Sequence, residues 1–311
     1  MGAPLAFLFP GQGSQAIGMG KDLCSRFPVA RDVFTEADQI LGFALSALCF
    51  NGPLEDLTLT ANTQPALLAT SYALTRVLRE ELGIQPAWAA GHSLGEFSAL
   101  VAAGALSFAA ALRVVRERGL AMQEAVAPGV GSMAAILGLD PNEVVAICHE
   151  AAGEQVVSAA NLNGGGQVVI AGHRDAVERA AALAKTRGAK RVVPLAVSAP
   201  FHCALMQPAA ERLERVLDAV TVAPLLFPVI TNVEATACSD PGRVKGLLVR
   251  QVVTPVRWEE CVAELARLGC TAAIEVGPGR VLTGLVKRIA PQIACTPADD
   301  LEAVRALAGA A

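Results

Sequence analysis

The sequence predicts an α/β protein with a parallel sheet and a small subdomain inserted into it, on three observations. Short apolar runs alternate with amphipathic helical stretches along most of the 311 residues. A G-x-S-x-G pentapeptide, Gly91 to Gly95, stands where one such run gives way to a helix. Between 129 and 198 the element order changes to β-α-β-β-α-β.

In chain order, LAFLF (5–9) reads as a buried strand closing into the loop PGQGSQ. PALLATSYALTRVLREEL (65–82) has apolar residues at helical spacing with charges gathered near its end. AWAAGHS (87–93) is strand-like, LGEFSALVAAGAL (94–106) a small-residue helix and FAAALRVVRERGLAMQEAV (108–126) a second long helix. PGVGS (128–132) marks a boundary. Beyond it MAAILGL, a helix from Pro141, QVVSAAN, QVVIAG, a helix from Arg174 and RVVPLAV (191–197) form the split unit of ferredoxin-like proteins. The chain then returns to a helix (204–220), the strand FPVIT (227–231), helices around 242–268, the strand AAIEV (272–276) and a closing helix from Arg280. The expected organisation is a large α/β-hydrolase-like domain, 1–128 with 199–311, and a small ferredoxin-like subdomain, 129–198.

A hydrophobic content of 53% is ample for a large core, and a net charge of −4 supplies no overall basic field for nucleic acid or an anionic membrane. The eight cysteines include no C-x-x-C pair, so no metal or redox framework is expected and a reducing cytoplasm is the expected home. The apolar N-terminal run stops at Pro10 without a basic region before it, unlike a signal peptide, and no apolar stretch approaches a membrane span.

In a nucleophile elbow, the serine occupies a strained strand-to-helix turn. Glycines on either side relieve clashes, and the helix N-terminus offers amide N–H groups to an oxyanion. Ser93 has all three elements of that context: strand before, Gly91 and Gly95 beside, helix after. A serine nucleophile needs a base, and the chain has four histidines. His92 adjoins Ser93 and is turned away by the elbow, to line the pocket. His149 lies on a helix as a surface residue, and His173 opens a helix in a capping or solvent role. His202 sits in a loop at the edge of the inserted unit, and by elimination it is the base. No aspartate is free to orient it. Asp140 reads as the N-cap of D-P-N-E, and Asp175 belongs to the first turn of another helix. Glutamates such as Glu150 and Glu154 remain candidates, but a neutral group such as a backbone carbonyl would do the same work, which predicts a Ser–His dyad.

Three other functions fit the residues less well. Gly11-Gln-Gly-Ser-Gln-Ala16 fits a loose dinucleotide fingerprint, but no β-branched strand leads into Asp32. An esterase would require water as acceptor and normally an acid, and a scaffold has no need of the reactive set.

The chain resembles the malonyl-CoA:acyl carrier protein transacylases of fatty acid synthesis, and more distantly the acyltransferase domains of polyketide synthases. The likeness spans FPGQGSQ (9–15), TQPALL (63–68), GHSLGEFSALVAAG (91–104), RERGLAMQEAV (116–126), NGGGQVVIAG (163–172), SAPFHCALM (198–206), LVRQVVTPVRW (248–258) and EVGPGRVLTGL (275–285). The resemblance implies ping-pong transfer of malonyl from coenzyme A to Ser93, and then to the phosphopantetheine thiol of acyl carrier protein. No tightly bound cofactor is implied, and a monomer is expected. It makes Ser93 the nucleophile, His202 the base, and the backbone N–H groups of Gln12 and Leu94 the oxyanion hole. It also makes the backbone carbonyl of Gln251 the group that orients His202, and Asn163 a supporting residue in the cleft. Arg118 becomes the site for the free malonyl carboxylate. Helical spacing sets it with Val114, Val115 and Met122 on or beside the apolar face, where a guanidinium wants a carboxylate. Phe201 matches a position that crowds an α-methyl group. Phe97 stands where the family often has Tyr. Lys190 and Arg191 in AKTRGAKR, with Lys287 near the C-terminus, are expected to attract an acidic carrier.

Overall fold

A computed structural model describes residues 4–195, 197 and 199–310. It is an α/β fold with one mixed, mostly parallel sheet and a second, antiparallel one. The strands are β1 (Leu5–Phe9), β2 (Trp88–Gly91), β3 (Gly131–Leu137), β4 (Val157–Gly164), β5 (Gln167–His173), β6 (Arg191–Pro194), β7 (Val229–Ile230), β8 (Ala237–Cys238), β9 (Ala272–Glu275) and β10 (Ala294–Pro297).

The large sheet has the order β10-β9-β1-β2-β7-β8, parallel throughout except where β8 pairs antiparallel with β7. Its central strand explains the unbroken apolar run LAFLF. Successive side chains point to opposite faces, and both faces are covered. Phe7 and Phe9 enter one core with the helices Thr60–Arg76 and Phe108–Glu124, while Ala6 and Leu8 enter another with Trp258, Val262, Leu285 and Val286.

The small sheet has the order β4-β5-β3-β6, every pair antiparallel. Ala134, Ile136, Val168 and Ile170 pack on one face with residues of the helices Pro141–Ala152 and Arg174–Thr186. Met133, Ala135, Val169 and Ala171 point the other way, towards Phe201 and Cys203. A parallel bridge from Asn161 to Val256 ties this sheet to the large one's connections.

Several elements differ from the sequence expectation. The helix expected from Pro65 starts at Thr60, because Thr63 Oγ1 donates to Leu57 O at 2.6 Å and Ala61 N–H to Gln123 Oε1 at 2.6 Å, which anchors a first turn ahead of the proline. FPVIT contracts to the two residues of β7. RVVPLAV pairs only over Arg191–Pro194, and Ala196 lies outside the described residues, as does Ser198 of SAPFHCALM. β8, β10 and the helix Leu301–Ala310 have no counterpart in the reading of the sequence. His173 does stand at the N-cap of Arg174–Thr186, but its ring caps nothing; Nδ1 accepts the Val156 N–H of the neighbouring strand at 2.9 Å.

Candidate active site

β2 ends at Gly91 and the helix Leu94–Ala102 begins two residues after His92, leaving Ser93 in the turn with φ 51° and ψ −105°. An L residue adopts that conformation only when its surroundings impose it. Here crowding does so. A Cβ on Gly91 would lie 1.9 Å from Gly95 C, and one on Gly95 would lie 2.0 Å from Phe9 O. The loop after β1 presses on the same turn, since a Cβ on Gly11 would meet His92 O at 2.5 Å. Both glycines of the pentapeptide are therefore required by backbone contact.

Ser93 Oγ and His202 Nε2 are 2.8 Å apart, and His202 Nδ1 is 2.8 Å from the backbone carbonyl of Gln251. A carbonyl only accepts, so Nδ1 carries the proton and Nε2 is left to receive one from the serine. Burial and then the Arg118 charge push His202 down to about 3, so the ring is neutral at physiological pH. Cys203, next in sequence, is a poor rival nucleophile, because burial pushes its thiol up to about 11.

Arg118 is 2% exposed, although it lies on a helix whose Arg113 faces solvent. The reason is Gly119: a Cβ there would lie 2.6 Å from Ala61 Cα, so the helices Phe108–Glu124 and Thr60–Arg76 meet backbone to backbone at this point. The guanidinium donates from Nη1 to Gln64 Oε1 at 2.8 Å, and from Nη2 to Gln251 Oε1 at 3.0 Å and Ser93 Oγ at 3.2 Å. It lies over the Phe97 ring, 5.4 Å from the centroid, and its Nε is buried without a partner. Burial lowers it to about 10, still a cation at neutral pH, with Glu96 acting in the opposite sense. Glu96 is itself buried, which raises its carboxyl to about 7.

A cavity joins these groups, lined among others by Gln12, Leu94, His92, Met133 and Phe201. Leu94 is the first helical residue, so its N–H belongs to the turn that has no intrahelical acceptor. The side chain of Gln12 is held by Thr60 Oγ1 at 3.1 Å. His92 turns away from the serine to Asn163, with Nε2 2.8 Å from Oδ1. Asn163 lines an adjoining cavity, together with Gln12, His92 and Arg288. Lys190, Arg191 and Lys287 are exposed and line neither cavity. Arg187 of the same basic run is paired with Glu143 and Glu150, which removes Glu150 as a partner for His202.

Gln64, Asn232 and Glu96 are site residues that have no role in the sequence reading. Glu96 left a trace, a lone carboxylate in the apolar helix LGEFSALVA. Among the described residues no group of His, Cys, Asp and Glu is placed to hold a metal ion, and no helix is long and apolar enough to cross a membrane.

The chain matches the acyl transferase domain family over residues 6–307. It is 49% identical to the malonyl CoA-acyl carrier protein transacylase of Escherichia coli K12 over 301 residues, 97% of each chain. The chain belongs to the malonyl CoA-acyl carrier protein transacylase family. It is an acyltransferase. Among solved members of the family, an acyl carrier protein S-malonyltransferase from Vibrio cholerae superposes with a TM-score of 0.96 at 49% identity, covering 98% of this chain and 100% of that one. A malonyl-transacylase in complex with a type II polyketide synthase acyl carrier protein superposes with a TM-score of 0.97 at 47% identity, covering 99% and 100%.

Proposed function

We propose that this acyltransferase moves malonyl from malonyl-CoA to the phosphopantetheine thiol of acyl carrier protein, through a malonyl ester on Ser93, supplying extender units for fatty acid synthesis. The observation that carries the reading is the buried Arg118 guanidinium within 3.2 Å of Ser93 Oγ, beside a histidine with no carboxylate behind it. The names of the relatives point the same way.

As Ser93 Oγ attacks the thioester carbonyl, His202 Nε2 takes its proton, and the Gln251 carbonyl stabilises the imidazolium through Nδ1–H. The oxyanion is received by the N–H groups of Gln12 and Leu94. Collapse of the tetrahedral intermediate breaks the C–S bond, and the coenzyme A thiolate leaves with the proton from His202. The carrier's thiol then gives its proton to His202, attacks the ester carbonyl and restores Ser93 by the same steps in reverse. Arg118 holds the free carboxylate, with Gln64 and Gln251 setting the plane of its fork. His92 and Asn163 line the approach of the thioester, and Phe201 limits room at the α-carbon. Lys190, Arg191 and Lys287 attract the acidic carrier.

Around this site the chain is read as a hydrolase-like domain, 1–128 with 199–311, and a ferredoxin-like subdomain, 129–198, whose strand order β4-β5-β3-β6 supports the name. The enzyme is taken as a cytoplasmic monomer that needs no tightly bound cofactor.

Intact-mass spectrometry after brief mixing with malonyl-CoA tests the reading. A malonyl adduct on the wild type, absent in Ser93→Ala and discharged by holo carrier protein, is expected. No adduct on folded wild-type protein, or an adduct that only water removes, refutes it.

A further inference from the structure

Ser93 is held in its strained turn from both sides by amide side chains. Its N–H donates to Asn232 Oδ1 at 2.8 Å, and its carbonyl accepts from Gln251 Nε2 at 3.1 Å. Both holders meet at one atom. Glu96 Oε2 accepts the backbone N–H of Asn232 at 3.0 Å and Gln251 Nε2 at 2.7 Å. Glu96 is 1% exposed, and its own backbone N–H also donates to the Ser93 carbonyl, at 3.1 Å.

We propose that Glu96 is a positioning residue, whose carboxylate aims the Ser93–Leu94 peptide at the oxyanion of the reaction; the proposal rests on the reading of Ser93 as nucleophile. The peptide group is planar and trans, so its C=O and N–H point in opposite directions. Holding Ser93 O against Gln251 therefore turns Leu94 N–H the other way, to the cavity that Leu94 lines. The Gln251 amide can do this in only one orientation. Its Oε1 accepts from the Arg118 cation at 3.0 Å, and its Nε2 faces the Glu96 carboxylate and the Ser93 carbonyl. Reversing the amide would set NH₂ against a guanidinium and C=O against two acceptors, so both charges enforce the same choice. Asn232 completes the clamp by donating from Nδ2 to Gly91 O at 2.7 Å, which ties the end of β2 to the same unit. No group in this relay touches the acyl carbon. Glu96 acts entirely through its neighbours.

The test compares Glu96→Gln with Glu96→Met, near-equal in volume, of which only Gln keeps an acceptor for both donors. Ser93 is labelled with a small neutral fluorophosphonate, which needs the nucleophile and oxyanion donors but not the malonyl carboxylate, and malonyl transfer is followed in parallel. Glu96→Gln is expected to label roughly 3- to 10-fold more slowly than wild type, because its hydrogen bonds lose charge assistance. Glu96→Met is expected to label about 10²-fold more slowly, the scale of losing one oxyanion donor. In transfer, kcat should fall in the same order while KM for malonyl-CoA stays within about threefold, since Arg118 keeps its bond to Gln64. Equal rates in Gln and Met variants, or loss in KM rather than kcat, overturn the proposal. If Glu96→Met does not fold, a wild-type labelling rate in Glu96→Gln alone overturns it, and a 3- to 10-fold fall with unchanged KM sustains it. Failure of the wild type to label at Ser93 would instead refute the nucleophile reading on which the proposal stands.

Discussion

Replacing Arg118 by alanine should convert a malonyl-selective site into one that scarcely distinguishes acyl groups. The magnitude follows from burial. A carboxylate meeting a guanidinium there gains two charge-assisted hydrogen bonds of about 1.5–3 kcal/mol each, roughly 3–6 kcal/mol together. At about 1.4 kcal/mol per factor of ten, that is two to four powers of ten in favour of malonyl over acetyl. Binding also displaces the 3.2 Å contact from Nη2 to Ser93 Oγ, which moves the expectation to the lower half of the range. Single-turnover acylation of Ser93, read by intact mass, should therefore fall by about 10²–10³ with malonyl-CoA in Arg118→Ala, and by less than about tenfold with acetyl-CoA. The substitution also strips a donor from Gln64 and Gln251, so folding is checked by circular dichroism. Arg118→Lys, which keeps the charge without the fork, should fall between the two and serves if the alanine variant is unfolded. Equal losses for both thioesters in folded protein would refute the carboxylate role and leave Arg118 as a structural ion.

His202 should leave a mark on acid stability. Its folded value, about 3, lies below the ordinary 6.5, so unfolding takes up a proton throughout that interval and stability falls as pH drops. Urea titrations between pH 6.5 and 5 should give a slope shallower by about 1 kcal/mol per pH unit in His202→Gln than in wild type, and parallel slopes would contradict it. Gly95→Ala forces a Cβ to 2.0 Å from Phe9 O, against backbone that cannot rotate away. It should lose at least about 3 kcal/mol in chemical denaturation, and a wild-type midpoint would show that the elbow tolerates a side chain. Phe201→Ser opens the cavity wall and should raise the methylmalonyl-to-malonyl acylation ratio about tenfold; an unchanged ratio would reduce Phe201 to packing.

Much of this molecule was legible in local pattern. LAFLF, AWAA and AAIEV read as strands, because an apolar run bounded by turn residues has few other uses, and they are β1, β2 and β9. G-x-S-x-G could be read as a strand-to-helix turn because its glycines answer to backbone crowding within a few residues. The absence of an aspartate free to serve His202 was legible too, since N-cap signatures are local, and Asp140 does cap its helix through Asn142 N–H. Short strands were poorly legible: FPVIT reads as five residues of strand where β7 keeps two, and β8 and β10 leave no mark, because these strands owe their pairing to a neighbour already in place rather than to their own residues.

The partners of the buried charges were decided only in three dimensions. Arg118 is separated by 54 residues from Gln64 and by 133 from Gln251, and nothing in RERG specifies either. Its depth depends on Gly119, whose missing side chain lets two helices touch and carries the guanidinium inward. Glu96 stood out in sequence as a charge in an apolar helix, yet its partners Asn232 and Gln251 lie 136 and 155 residues away. The sequence by itself determined the turn, the nucleophile candidate and the kind of base, because those follow from chemistry between near neighbours. The tertiary structure alone decided which polar groups share the buried site, because a charge removed from water must find its partners wherever the folded chain brings them.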